Sequence, residues 1–473
     1  MRQFKLYLSR PLMVVVILLA QLQCQYASAS PVEANARLDN DFINLSHQVY
    51  AELIKHNYSL PVYTNTRELK QAVAEKLQHN PAEAILAIVT NKALINTNID
   101  DRNSIYFIQQ LLQQNEWKAA EEMHQVLETD ADKALLANAD YYVGQYFYQR
   151  GDWEQCLHYL ENSYDNLPDQ DASYARLISG ACYQELHQQR KALGIYQKIP
   201  ETSPDYIYAQ LNAAIVNFRQ GWWSTARNII ENTLKNHHIV KNDEMLNRLN
   251  LVLGYALMQK EYYRDSREAF RNVELTSRYA NRALLGIGLT AAYQDDYVGA
   301  LNALNLLKEK KVYELSVDEA YLVTPTIIKK MGQSLTASAA YNAAIEFYQQ
   351  RIDKLDGQLQ DTNAVKQAQY ASQSHQIVFG DTRIDVTEPD IWVLIDNRKR
   401  LKNILVMIKQ DNISLSSKTQ QRLKQLEQSF DQAMLDTVIS KAMERLKMLK
   451  DYQSQAKYGL ARLYDNTTRE TGQ

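Results

Sequence analysis

A pattern that occurs twice, 36 residues apart, between Tyr142 and Pro204 constrains this chain more than any other feature. In each copy an aromatic residue stands three positions after a glycine, a small residue twelve, a large residue sixteen and a proline twenty-four. The copies comprise Gly144, Phe147, Cys156, Leu160 and Pro168, and then Gly180, Tyr183, Ala192, Tyr196 and Pro204. Small residues let two helices approach closely, and proline ends a helix. The spacing therefore predicts antiparallel helical hairpins.

This spacing resembles the tetratricopeptide repeat (TPR), a helix–turn–helix unit of about 34 residues. Weaker copies centre on Trp117, Gly221, Gly254, Gly288 and Gly332, and the first helix of the last copy is expected to begin near Pro325. The resemblance implies an all-α fold, a right-handed superhelical array of repeats (an α-solenoid) with a helical C-terminal region. Only 14 glycines and 9 prolines among 473 residues agree with helix throughout.

The first 29 residues have the features of a secretory signal peptide. Three basic side chains in the first ten residues precede an apolar run from Leu12 to Ala20, and Ala27–Ala29 forms an A-x-A cleavage site. The run is short for a membrane span. The sequence predicts cleavage near Ala29 and a periplasmic mature chain, with a retained anchor or lipidation at Cys24 as alternatives.

The remaining chain divides into four predicted regions. Residues 30–103 form an N-terminal helical region of degenerate repeats or a cap, with a loose polar start at 30–40, and residues 104–352 form the repeat array. Residues 353–390 are predicted as a linker with a short hairpin or ordered loop at 377–386. Residues 391–473 are predicted as helical. There, 417–451 forms one long helix or two, and a separate last helix follows at 452–465.

Two cysteines, Cys156 and Cys182, remain in the predicted mature chain, and the repeat template places them on helices that pack together. Small buried residues at an inter-helix contact are one interpretation. A disulfide between the two repeats is the other, because an exported protein meets an oxidising compartment. Zinc binding is not expected, since a structural zinc site uses about four ligands.

No catalytic, nucleotide-binding or metal-binding motif occurs in the sequence. Loss of the leader would take the formal net charge from −3 to −6, which gives no indication of a nucleic-acid partner. The basic run at Arg398–Arg400 is interpreted as the wet face of a helix, so membrane contact is expected to be indirect or weak at most. The sequence thus predicts a non-enzymatic protein without cofactor or metal.

The resemblance implies that the first helices of the repeats line a concave groove that holds a protein partner, as a peptide or helix. Aromatic and arginine side chains are the types enriched at binding hot spots. The family's groove positions correspond to Tyr141, Gln145, Tyr148, Tyr174, Gln184, Tyr208, Phe218, Arg219, Arg248, Tyr255, Arg282 and Tyr293. Coverage of apolar helix flanks is the alternative role for these tyrosines.

Taken together, these features predict an exported scaffold that binds a protein within a cell-envelope assembly. Two other classes stay open from the sequence alone. One is a polysaccharide-export scaffold, in which groove aromatics stack on sugars. The other is the helical support domain of a cell-wall lytic enzyme, although the last hundred residues read as plain amphipathic helices.

Overall fold

The structure, a computed structural model, describes residues 29–55, 61–99, 102–130, 132–236, 243–310, 314–361, 369–371, 376–379, 382–386, 388–410 and 413–471. The predicted signal peptide lies outside the described residues, apart from Ala29 at the end of the A-x-A site. Its cleavage and the alternative modification of Cys24 therefore stay predictions.

The described chain is mostly helix, and its helices are numbered here in chain order. The amino-terminal helices are α1 (Ala29–Lys55), α2 (Thr66–His79), α3 (Pro81–Thr90) and α4 (Lys92–Thr97). Seven hairpins follow: α5 (Asn103–Gln113) with α6 (Trp117–Asp130), α7 (Lys133–Arg150) with α8 (Trp153–Leu160), α9 (Asp169–Glu185) with α10 (Gln189–Tyr196), α11 (Tyr206–Arg219) with α12 (Trp223–Lys235), α13 (Asp243–Gln259) with α14 (Tyr263–Arg271), α15 (Ala280–Tyr293) with α16 (Tyr297–Glu309), and α17 (Leu315–Lys330) with α18 (Ser334–Gln360). Between α8 and α9, Tyr164–Asn166 form a single 3₁₀ turn.

The remaining elements are a small sheet and two helices. Strands β1 (Gln369–Ala371), β2 (Gln376–Phe379) and β3 (Thr382–Asp385) pair antiparallel in chain order. Strands β2 and β3 occupy the stretch for which the sequence favoured a short hairpin. Helices α19 (Pro389–Gln410) and α20 (Ser417–Thr471) complete the chain.

Each of the seven hairpins turns on a residue in the left-handed region, two positions before its second helix. These residues, with φ between 58° and 77°, are Asn115, Gly151, His187, Gly221, Glu261, Asp295 and Gly332. A left-handed residue ends a helix because its N–H can turn back to the last carbonyl groups. The regular recurrence of this turn, together with the helix pairs, confirms the predicted all-α, TPR-like array.

The glycines of the repeated pattern lie where the helices of a hairpin cross. A Cβ atom at Gly144 would stand 2.4 Å from Leu160 Cγ, and one at Gly180 would stand 2.3 Å from Tyr196 Cε1. These partners are the large residues sixteen positions later in each copy. The spacing of sixteen therefore corresponds to a contact. The large side chain of the second helix packs against the glycine of the first helix, where a Cβ atom would leave no room.

The register of the seventh hairpin differs from its prediction. Gly332 is the left-handed turn residue rather than a packing glycine, and Pro325 lies inside α17 rather than at its start. Pro325 stands twelve residues before Ala337, as Gly288 stands twelve before Ala300, so it takes the crossing position. The sequence interpretation was wrong here because turn glycines and packing glycines precede similar patterns of aromatic and small residues.

The described residues divide into two compact units. The first unit comprises residues 28–216 and 388–434, and the second comprises 217–387 and 435–473. In the first unit, α19 packs against α1, α3 and α7, and Phe42 meets Phe430 edge to face at 6.4 Å. In the second unit, the later part of α20 packs on α18, where Gly459 lies beneath the ring of Tyr341.

Two further predictions about the ends of the chain were wrong. Residues 30–40, predicted as loose, belong to α1, where Asn35 is buried and its side-chain amide donates to Asp390 at 2.8 Å. The two residues are 355 positions apart in the sequence, so no local pattern could predict this contact. Residues 452–465 continue α20 without a break because buried positions such as Tyr452, Ala456 and Leu463 extend its apolar stripe.

Candidate functional site

All twelve predicted groove residues lie on the first helices of five successive hairpins, α7, α9, α11, α13 and α15. Their exposure differs sharply. Tyr141, Gln184, Phe218 and Tyr255 are buried, and Tyr174 is exposed. Seven are half-buried: Gln145, Tyr148, Tyr208, Arg219, Arg248, Arg282 and Tyr293. The predicted set therefore mixes packing residues with residues that face water.

Three of the buried residues stabilise contacts inside the units, which corrects their assignment to a partner. The hydroxyl of Tyr255 donates to the backbone oxygen of Arg282 on the next hairpin at 3.0 Å. The ring of Phe218 lies 5.2 Å from that of Trp223. Gln184 donates from Nε2 to the backbone oxygen of Asn212. These side chains contact helices of their own unit.

Two half-buried tyrosines also have aromatic neighbours of their own. The Tyr293 ring stacks on Tyr263 with 4.6 Å between centroids and 5° between planes. The Tyr148 ring meets Trp153 edge to face at 5.7 Å. Burial raises the pKa of both phenols, to about 12 for Tyr293. Their rings thus contribute to hairpin packing, with only part of each surface facing water.

One group in the first unit combines predicted and unpredicted residues, and we term it the tyrosine–carboxylate cluster: Tyr141, Tyr142, Tyr174, Asp171 and Asp205. The Tyr141 ring lies 5.2 Å from Tyr142 and 6.4 Å from Tyr174. Burial raises the pKa of Tyr141, and the nearby carboxylates of Asp171 and Asp205 raise it further. Tyr174 is 37% exposed, so the cluster reaches the surface.

The sequence prediction included Tyr141 and Tyr174 but missed the other three members. Asp171 lies in the first turn of α9, and Asp205 directly precedes α11, where acids are common for reasons of helix capping alone. Tyr142 is adjacent to Tyr141 and was treated as part of the repeat pattern. The missed signal was the recurrence of an acid with a tyrosine three residues on: Asp171 with Tyr174, and Asp205 with Tyr208.

The second unit contains a different polar group, the arginine–carboxylate cluster: Asp318, Glu319, Arg351, Arg445 and Tyr452. An Arg445 nitrogen donates to Asp318, and an Arg351 nitrogen lies 2.8 Å from the same carboxylate in an ion pair without hydrogen-bond alignment. Tyr452 donates to Glu319 at 3.1 Å. Burial raises the pKa of Asp318, against the opposing effect of both arginines, and raises that of Glu319 to about 7.

A third buried polar group lies in the first unit, around Asn115. Its amide donates at 2.8 Å to both Asp39 and Asn397, and Tyr146 donates to its oxygen at 2.7 Å. The adjacent Glu116 is 2% exposed, and burial raises its pKa to about 8. These contacts bind α1 and α19 to the turn of the first hairpin, so this group has a structural role.

The basic run of α19, predicted as the wet face of a helix, is partly exposed and also makes contacts within the first unit. The Arg398 guanidinium pairs with Asp431 at 2.5 Å, and Arg400 donates to the backbone oxygen of Gln113 at 2.8 Å. Lys399 between them is exposed.

The two cysteines are buried free thiols at the contact between α8 and α9. The Sγ atoms of Cys156 and Cys182 lie 3.1 Å apart, whereas a disulfide bond is about 2.05 Å long. A disulfide under oxidising conditions stays a prediction. Within the described ranges, no group of three acidic, histidine or cysteine side chains could hold a metal ion. No helix in the described part of the chain is long and apolar enough to cross a membrane.

No family model and no curated protein matches the chain. Among solved structures it is similar to the apo form of RapI, at 10% identity over 62% of this chain and 92% of that one, with a TM-score of 0.43. It is also similar to a tetratricopeptide repeat protein from Parabacteroides merdae, at 15% identity over 62% and 98% of the two chains, with a TM-score of 0.35. These scores are low, and the TPR-like architecture rests on the hairpins described above.

Proposed function

We propose that this chain is an exported, non-enzymatic scaffold that holds a protein partner within a cell-envelope assembly. The partner would bind the first unit at the tyrosine–carboxylate cluster. One observation carries the proposal: Tyr174 is exposed on a helix, close to two further tyrosines and two carboxylates.

Tyrosine suits such a surface because it offers a large contact area with few rotatable bonds and keeps a polar tip. The helices already restrict the rings of the cluster, so binding a partner would cost little additional side-chain entropy. Pre-organised aromatic anchors of this kind dominate affinity at protein interfaces. The exposed edge of Tyr174 would be the first point of contact.

The non-enzymatic part of the proposal rests on the state of the buried acids. Glu116 and Glu319, whose pKa values burial raises to about 8 and about 7, are each 8% exposed or less. Their neighbours are groups of the same unit, such as Tyr452, which donates to Glu319. Acids with raised pKa values mark catalytic sites when they face a cleft. These two instead support helix packing.

Site-specific photo-cross-linking tests the binding surface. A photoreactive phenylalanine analogue is placed at Tyr174 and, as a matched control, at Glu154, an exposed position on α8 of the same unit. We expect a discrete protein adduct in the native host from position 174 and none from position 154. Equal labelling from both positions, or none from position 174, would contradict the proposed surface.

Mass spectrometry of the chain isolated from its host tests export separately. We expect a mature amino terminus at Ser30, from the charged start, the apolar run and the A-x-A site. A chain that begins at Met1, or a lipid on Cys24, would contradict cleavage near Ala29.

A further inference from the structure

We propose that the tyrosine–carboxylate cluster binds a cationic group, the guanidinium or ammonium of an arginine or lysine side chain on the partner. This inference rests on the proposed scaffold function and deepens it, because it names the chemistry that the partner must present.

The first argument is the shape of the cluster. The Tyr142 ring is inclined at 59° to the Tyr141 ring and the Tyr174 ring at 80°, so neither neighbour is stacked parallel to Tyr141. Rings that are not stacked face to face keep a negative face available, and such a face attracts a cation. Tyr141 and Tyr142 come from α7 and Tyr174 from α9, so two adjacent hairpins build the site.

The second argument is a contrast with other tyrosines of the same unit. The guanidinium of Arg150 lies 3.7 Å from the centre of the Tyr146 ring. Arg176 covers Tyr164 at 5.3 Å, and the Lys191 ammonium covers Tyr183 at 5.1 Å. In the described part of the chain, no basic side chain lies over Tyr141, Tyr142 or Tyr174. The cluster is thus composed of rings whose faces the chain does not cover with a cation.

The third argument is that the described residues supply no counter-ion to the carboxylates of the cluster. Tyr141 is 8% exposed, and its hydroxyl makes no hydrogen bond to any described residue. Neither Asp171 nor Asp205 pairs with a basic side chain among the described residues. Nearby acids differ, since Asp132 caps the start of α7 and Asp140 accepts from the His124 ring at 2.7 Å.

The balance of charge then selects the ligand. Burial raises the pKa of Asp205, and a hydrogen bond from Ser203 offsets this only in part. A carboxylate held close to aromatic rings without a counter-ion is a costly arrangement, which an incoming cation would relieve. An anion would instead meet two like charges and the negative faces of the rings. Arginine fits well, because its guanidinium plane stacks on rings and its N–H groups reach carboxylates.

Fluorescence anisotropy with two labelled peptides tests the inference. Hexa-arginine supplies the cation, and hexa-citrulline is its neutral counterpart of nearly the same shape. We expect the full chain to bind hexa-arginine at least tenfold more tightly, by the strength of desolvated cation–π contacts. Asp171→Asn with Asp205→Asn should remove most of that preference.

Two further variants separate the site from the general acidity of the chain. Glu154→Gln with Asp165→Asn removes the same charge from exposed positions of the first unit and should leave binding of hexa-arginine unchanged. Tyr174→Leu keeps both carboxylates but removes one ring, and should weaken binding severalfold. Circular dichroism and thermal melting verify that each variant is folded.

Equal affinity for the two peptides, or equal loss in the two charge variants, would overturn the cationic site. The scaffold proposal fails separately, when a photoreactive group at position 174 yields no adduct in the host. An adduct from position 174 without any preference for arginine would thus reject this inference and leave the scaffold standing.

Discussion

The two units use the same kinds of side chain in opposite ways. In the arginine–carboxylate cluster of the second unit, Arg445 from α20 and Arg351 from α18 neutralise Asp318, and Tyr452 donates to Glu319. In the tyrosine–carboxylate cluster of the first unit, carboxylates and tyrosines meet without a cation from the described chain. The first cluster contains its own counter-ions, and the second is the place where we propose that a ligand supplies one.

The difference shows what each cluster contributes. A buried charge whose partner is present stabilises one arrangement of helices, because moving either element would strand the other charge. The arginine–carboxylate cluster therefore holds the later part of α20 on the last hairpin. An unpaired cluster near the surface contributes little to that, so its residues can change with small effect on folding. Four measurements test this contrast.

The largest expected effect comes from Asp318→Asn. Loss of this carboxylate removes the buried negative charge that Arg351 and Arg445 both face, which should destabilise the second unit by about 3–5 kcal/mol. Asp171→Asn is the matched change in the other cluster and should alter stability by less than about 0.5 kcal/mol. Chemical denaturation of both variants decides. Similar losses would show that the two clusters are equivalent.

The pH dependence of stability should depend on Glu319. Burial raises its pKa from 4.5 to about 7, so the folded state binds this proton more tightly than the unfolded state. The contribution is fully present below pH 4.5 and is lost as the pH rises through about 7, at a cost of about 3 kcal/mol. Thermal melts between pH 4.5 and 8 should decline less steeply for Glu319→Gln. An unchanged slope would show that Glu319 ionises normally.

A pair of glycine substitutions tests the hairpin that carries Asp171 and Tyr174. Gly180→Ala places a methyl group 2.3 Å from Tyr196 Cε1 and should destabilise by about 1–3 kcal/mol. Gly194→Ala, in the last turn of α10, meets nothing within 4 Å and should stabilise by about 0.5–1 kcal/mol. Melting temperatures that shift in the same direction would contradict the packing described for α9 and α10.

The smallest effect compares two hydroxyl groups. Tyr348 donates to the backbone oxygen of Asp318 at 2.5 Å, so Tyr348→Phe should cost about 1 kcal/mol. Tyr141→Phe removes a hydroxyl without a partner in the described chain and should lie within about 0.5 kcal/mol of the native value. Denaturation midpoints measure both. An equal loss of stability in Tyr141→Phe and Tyr348→Phe would indicate that the Tyr141 hydroxyl also makes a hydrogen bond.

The hairpins could be predicted because their packing is periodic and local. Gly144 and Leu160 form their contact within one repeat. The same spacing therefore appears in each clear copy and can be found by aligning the repeats with one another. The register of the last hairpin could not be predicted from the same spacing. Its crossing residue is Pro325, a residue type that ordinarily signals a helix start.

The binding positions were harder to predict than the fold. The sequence places Tyr141, Phe218 and Tyr255 on first helices. It does not tell whether each side chain faces water or is buried by a neighbouring helix or aromatic ring. Asp171 and Asp205 are 34 residues apart, and their common approach to Tyr141 depends on how successive hairpins stack. No local pattern records this approach.

The amino-acid sequence by itself determined the helices, the hairpins and the glycine contacts within them, because those depend on side-chain size at short, repeated spacings. The tertiary structure alone decided which polar groups are paired. Asp318 meets Arg445 across 127 residues, whereas Asp171 and Asp205 meet no cation of the described chain. Charge pairing depends on distance in space, and helices brought together from distant parts of the chain set that distance.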